Sequence, residues 1–100
     1  MKLTETELHL LKVVLRKHLD AASCRVLLFG SRIDGSARPG SDLDIMIFAT
    51  GGLSFAKLGF LREAMENSNL PFSVDISDAE VVEVSFRTRA TSGGVWLDLA

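Results

Sequence analysis

Residues 42–49, Asp-Leu-Asp-Ile-Met-Ile-Phe-Ala, constrain the fold more than any other stretch of the chain. Side chains two apart along a strand share a face. A strand here puts Asp42, Asp44, Met46 and Phe48 on one side and Leu43, Ile45 and Ile47 on the other. Residues 72–77, Phe-Ser-Val-Asp-Ile-Ser, sort the same way. Ser73, Asp75 and Ser77 oppose Phe72, Val74 and Ile76. With both aliphatic faces packed under helices, Asp42, Asp44 and Asp75 emerge on one open side. Neighbouring strands lie ~4.8 Å apart, close enough for three carboxylates to converge.

The rest of the chain supplies the helices. Thr4 followed by Glu7 forms a capping-box pattern ahead of a helix to about Asp20, with Leu8, Leu11, Leu15 and Leu19 as its buried stripe. Residues 24–29 read as a buried strand that stops at Gly30. Residues 30–41, rich in Gly, Ser and Pro, read as a loop with room for one helical turn. Ser54 is placed to cap a helix to about Asn67, with Phe55, Leu58, Leu61 and Met65 inward. A helix is expected over 78–91, then a short edge strand over 95–99. This order implies one α/β (α+β) domain over residues 1–100, with a small mixed sheet flanked by helices.

Converging carboxylates repel unless positive charge sits between them. Hard oxygen donors without His or Cys favour Mg²⁺ or Mn²⁺ over zinc. Two such ions on shared carboxylates suit an in-line attack at phosphorus. A lone Asp-x-Asp reads more readily as two solvated carboxylates on an exposed sheet face. The third Asp at matching parity weighs against that reading, and so does the loop upstream. Gly30 and Ser31 follow a strand and open a turn whose N–H groups and hydroxyl suit an anion. Arg32 and Arg38 add positive charge, and Ser41 leads into Asp42.

Gly30 to Ile45, GSRIDGSARPGSDLDI, resembles the signature of the nucleotidyltransferase superfamily that includes DNA polymerase beta. The likeness is to its minimal, stand-alone members, the MNT-domain proteins, and Val74 to Ser77 extends it to about residue 78. The resemblance implies a polymerase beta palm-like fold and a Mg²⁺-dependent adenylyltransferase reaction. Gly30 and Ser31 would hold the terminal phosphates of ATP, with Arg32, Arg38 and Ser41 also lining the nucleotide site. Asp42 and Asp44 would bind two metal ions. Asp75 would complete the site of the catalytic ion and help deprotonate the attacking hydroxyl. Such proteins are commonly paired with a HEPN-domain RNase toxin encoded nearby, which they modify as its antitoxin. This chain has no Tyr, so a tyrosine acceptor would lie on a partner. Asp34 departs from the pattern by adding negative charge inside the phosphate loop.

Composition narrows the alternatives. Lys and Arg number 11 against 13 Asp and Glu, so no basic excess announces direct nucleic-acid binding. The longest apolar runs are a few residues, too short for a membrane helix, and the N-terminus does not read as a signal peptide. The single Cys24 and the absence of a leader pattern point to the cytoplasm. His9, His18, Lys57, Arg62, Arg87 and Arg89 read as surface or boundary positions. Cys24 reads as a small buried hydrophobe. Trp96, with Val95, Leu97 and Leu99, reads as core edge or interface, and self-association stays open. Two other readings stand beside the enzyme of a toxin partner. One is a partner-binding module of the same fold without catalysis. The other is a small-molecule nucleotidyltransferase of the antibiotic-modifying type.

Overall fold

A computed structural model of the chain describes residues 3–38 and 40–99. The elements run α1 (Glu5–His18), β1 (Cys24–Phe29), α2 (Ser31–Asp34), β2 (Leu43–Ala49), α3 (Phe55–Glu66), β3 (Val74–Asp78), α4 (Val84–Gly93) and β4 (Val95–Leu97). The capping box forms as expected. Thr4 N–H donates to Glu7 Oε1 at 2.9 Å, and Glu7 N–H donates to Thr4 Oγ1 at 3.1 Å. Ser54 Oγ accepts from Lys57 N–H at 3.0 Å and starts α3.

The four strands lie in the order β3-β2-β1-β4. β1 pairs antiparallel with β2 and with β4, and β2 pairs parallel with β3. The sheet is therefore mixed, as the element order implied. α1 and α3 cover one face. Leu11, Leu15, Leu61 and Met65 pack there against Val26, Leu28, Leu43, Ile45, Ile47 and Ile76. Leu19 is buried in the same core, with Leu8 and Cys24 half-buried at its margin.

The second face is not fully open. α4 lies across part of it, and Ala90, Phe86 and Val82 close over Leu27, Met46 and Phe29. The aliphatic parity argument identified the first face correctly but left this one bare. Phe86 and Ala90 stand four apart, the spacing of one helical stripe, and mark α4 as a covering helix, while Val82 packs beside them from the turn before it.

Two further expectations are corrected. α4 begins at Val84, not near residue 78. Asp78 is buried at 5% exposure, and its carboxylate is already committed. It accepts from Glu80 N–H and from Leu53 N–H, both at 2.9 Å, and ties a turn to the loop before α3. Ala79 N–H donates to Ile47 O at 2.9 Å, which extends the strand ladder past Asp78. Phe55 does not point inward. It is 93% exposed, whereas Leu61 and Met65 are buried. A helical side chain covers the turn N-terminal to its own Cα, and at the first position of α3 that turn does not exist.

Candidate active site

The site is built on one row across the sheet. Phe29 on β1 stands opposite Asp44 on β2, and Asp44 stands opposite Asp75 on β3. All three therefore project from the same face, and Asp42 lies two residues before Asp44. Asp42 and Asp75 are exposed and Asp44 is half-buried. Phe86 of α4 meets Phe29 edge-on, with ring centroids 5.7 Å apart, so the inner end of the row is apolar. Burial raises the Asp44 carboxyl above the ordinary carboxylate range, and the charges of Asp75 and then Asp42 raise it further. The three acids thus share one electrostatic field. Among the described residues, no three His, Cys, Asp or Glu side chains stand close enough to chelate a metal as placed.

Gly30 closes the row. It has φ +86° and ψ −167°, a region essentially reserved for glycine. A Cβ at this position would fall on Asp44 Oδ2. The residue is therefore fixed twice, by its backbone angles and by the carboxylate beside it. The chain then turns into α2, where Ile33 and Asp34 N–H both donate to Gly30 O at 3.0 Å. The opening of such a turn presents N–H groups that no earlier helical carbonyl can accept. Ser31 sits there, half-buried, immediately after the glycine that touches Asp44.

The other expected nucleotide residues divide. Arg32 reaches toward β3. Its Nε donates to Ser41 O at 2.7 Å, and its guanidinium lies 4.2 Å from the centroid of the Phe72 ring. It pins the segment before β2 to the segment before β3, so it positions the acid-bearing strands relative to each other. Ser41 Oγ accepts from Arg38 N–H at 2.9 Å, which shapes the bend into Asp42. Arg38 itself is exposed on that loop. Asp34 is also exposed, and its Oδ1 accepts from Ser36 Oγ at 2.6 Å and Ser36 N–H at 2.8 Å. Those two bonds hold its carboxyl below the usual range and direct it onto its own loop.

Sequence reasoning missed three supports of the site. Phe72 forms the floor under Arg32. Phe86 supplies the apolar wall beside Phe29. Arg87, expected to be solvated, is half-buried and donates from Nη1 to Ala79 O at 2.7 Å, fastening α4 to the end of β3. The four-residue spacing of Phe86 and Ala90 would have found the second of these. The first joins distant segments and the third reaches back across the turn before α4, and strand or helix period encodes neither.

The chain matches known proteins in sequence and in fold. It is 36% identical over 81 residues to a protein named as the probable protein adenylyltransferase MntA of Haemophilus influenzae, a match covering 81% of this chain and 69% of that relative. The fold superposes with a TM-score of 0.75 on a crystal structure of a toxin-antitoxin with AMP-PNP, at 22% identity over 94% of this chain and 72% of the other. A crystal structure of the MntA-HepT toxin-antitoxin gives a TM-score of 0.69 at 18% identity, covering 93% of this chain and 70% of the other. Those two likenesses speak for the fold. The family match runs over residues 11–97, through the Gly30 turn and all three acids, and by it the chain belongs to the polymerase beta nucleotidyltransferase family.

Proposed function

We propose that this nucleotidyltransferase moves AMP from ATP to a hydroxyl on a partner protein, and that the partner is a HEPN-domain toxin for which this chain is the antitoxin. Members of the family draw their nucleotide from a nucleoside triphosphate with a divalent metal. Two Mg²⁺ ions would serve here, with Mn²⁺ as a substitute. The observation that carries the proposal is the row of Asp44 and Asp75, with Asp42 beside it and Gly30 against Asp44, where burial first and then the charges of Asp75 and Asp42 raise the Asp44 carboxyl. Such a donor set fits a hard divalent cation, because positive charge relieves the repulsion among the three carboxylates. Asp42, Asp44 and Asp75 would hold it. When bound, it neutralises the triphosphate and the charge that grows at phosphorus.

The chain's own groups supply the remaining steps. Gly30 lacks a Cβ and lets the triphosphate approach the backbone closely. Ser31 donates to the terminal phosphates through its N–H and hydroxyl, and Arg38 adds charge from the exposed loop. Arg32 and Ser41 hold that loop against Phe72. The acceptor oxygen attacks the α-phosphorus in line, and a new O–P bond forms. The bond to the β-phosphate oxygen breaks, and pyrophosphate leaves with the electron pair. The hydroxyl proton passes to the Asp75 carboxylate. Positioning and charge neutralisation carry most of the rate.

The protein adenylyltransferase name of the Haemophilus influenzae relative and the toxin-antitoxin assemblies among the structural neighbours support a protein acceptor. This chain has no Tyr, so a tyrosine acceptor lies on the partner. The reading places the protein in the cytoplasm, where ATP and Mg²⁺ are abundant. Among the described residues, no helix is long and apolar enough to cross a membrane. The test is incubation with labelled ATP and Mg²⁺, with and without the product of the adjacent gene, followed by intact mass of both proteins. AMP appears on the partner, and the Asp42→Asn/Asp44→Asn variant does not transfer it. A stable complex without transfer would overturn the catalytic reading.

A further inference from the structure

β3 is an edge strand, and its outer side is where the acid row ends. The ladder with β2 fixes which backbone groups face outward. Leu43 N–H donates to Ser73 O at 2.9 Å, and Ala79 N–H donates to Ile47 O at 2.9 Å. Residues 73, 75, 77 and 79 therefore turn their backbone groups toward β2. The alternation of a parallel ladder turns the N–H and C=O of Val74 and Ile76 to the free side. Arg62 of α3 covers one of these groups, donating from Nη2 to Ile76 O at a long 3.4 Å. A cation over an outward carbonyl blunts an edge against unwanted pairing, and a bond of that length is easily exchanged. A groove of about 520 Å³ follows the same edge, lined by Arg62, Glu66, Leu70, Phe72, Ser73 and Asp75 among others. It thus runs from the C-terminal half of α3 to one of the three acids.

We propose that the acceptor enters as an extended segment of the partner protein, added as a fifth strand along the outer edge of β3. The inference rests on the protein-acceptor reading above and specifies how that acceptor is presented. An added strand lies ~4.8 Å from β3, and the residue in register with Asp75 projects from the same face. A Tyr, Ser or Thr at that register carries its hydroxyl into the row beside Asp75, next to the carboxylate that takes its proton. The Val74 N–H and C=O and the Ile76 N–H bind the incoming backbone, and Ile76 O does so once Arg62 moves aside. Backbone pairing of this kind gives affinity, while side-chain register selects the residue modified.

The test separates the backbone donor from the side chain. Val74→Pro removes the outward N–H without removing a bond to β2, and an edge strand tolerates proline there. Val74→Ala keeps the donor and trims the side chain. Both are assayed for AMP transfer from labelled ATP to the full-length partner, with binding of Mn²⁺-ATP read in the same samples. The proposal expects Val74→Pro to lose roughly tenfold or more in kcat/KM for the partner. It expects Val74→Ala to stay near the unaltered protein, and both variants to bind Mn²⁺-ATP normally. In the complex, the Val74 and Ile76 amides should gain protection from hydrogen exchange. Unchanged transfer by Val74→Pro, equal loss in both variants, or no added protection at these amides overturns the edge-docking proposal alone. No transfer by the unaltered chain overturns the acceptor reading and this proposal with it.

Discussion

Replacing Asp44 by Asn should stabilise the protein when no divalent ion is present. Asp44 stands in register with Asp75 on the neighbouring strand and two residues from Asp42. Burial and these two charges raise its carboxyl above the ordinary range. Two unit charges ~5 Å apart repel by ~0.8 kcal/mol at the dielectric of water and ~3 kcal/mol at an effective value of ~20. Asp75 is exposed, so the lower part of that span applies, about 1 kcal/mol after solvent screening. For a domain of this size, that is a rise in Tm of roughly 4–8 °C. The sign of the pH dependence follows from the direction of the shift. A raised carboxyl means that the folded chain binds more protons than the unfolded one between the ordinary and the raised value, so stability falls as pH climbs through that window. The advantage of the Asn variant is therefore full at neutral pH and fades on acidification toward the ordinary carboxylate range. Thermal unfolding in EDTA, at pH 7.5 and in steps down to pH 4, measures it. Added Mn²⁺ should then raise the Tm of the unaltered protein but not that of Asp44→Asn. A variant no more stable than the parent at pH 7.5, with a difference that ignores pH, would refute the shared field of the three acids.

Other expectations follow from single contacts. Gly30→Ala forces a side chain into backbone angles reserved for glycine and onto the Asp44 carboxylate. It should lose roughly 1–3 kcal/mol of stability and nearly all transfer, read by thermal unfolding and labelled ATP. Arg32→Lys keeps the charge but not the planar stack on Phe72 or the geometry of the bond to Ser41 O. It should raise KM for ATP and lower Tm much as Arg32→Ala does, and full rescue by Lys would show that charge alone matters. Asp34→Ala removes only the bonds from Ser36. Its ATP affinity, by calorimetry, should change by less than about 0.5 kcal/mol, and a large tightening would show that the carboxylate faces the phosphates.

Much of the site was legible because its carriers are strands. A period of two assigns every residue of β2 and β3 to a face, so Asp42, Asp44 and Asp75 could be placed together before any register was known. The β1 strand and the Thr4 and Ser54 caps were legible for a similar reason, since each is a local pattern. Contacts between distant segments were not. Arg32 reads as a phosphate ligand beside Gly30 and Ser31, yet it lies on Phe72, forty residues later in the chain. Asp78 resembles a helix start, yet it is buried by its bonds to Leu53 and Glu80. Phe55 continues the apolar spacing of α3, yet it overhangs the helix end. In each case a tertiary partner or a helix terminus decided the side chain's direction, and local periodicity carries no record of either.

The central claim is that Asp42, Asp44 and Asp75 hold divalent ions against a triphosphate seated on the Gly30–Ser31 turn. Crystals grown with Mn²⁺ and a non-hydrolysable ATP analogue test it most directly, through anomalous scattering at the manganese edge. The account predicts manganese bound by these three carboxylates, with the β- and γ-phosphates on the N–H and hydroxyl of Ser31. Manganese bound elsewhere, or a triphosphate seated away from Gly30, would contradict it.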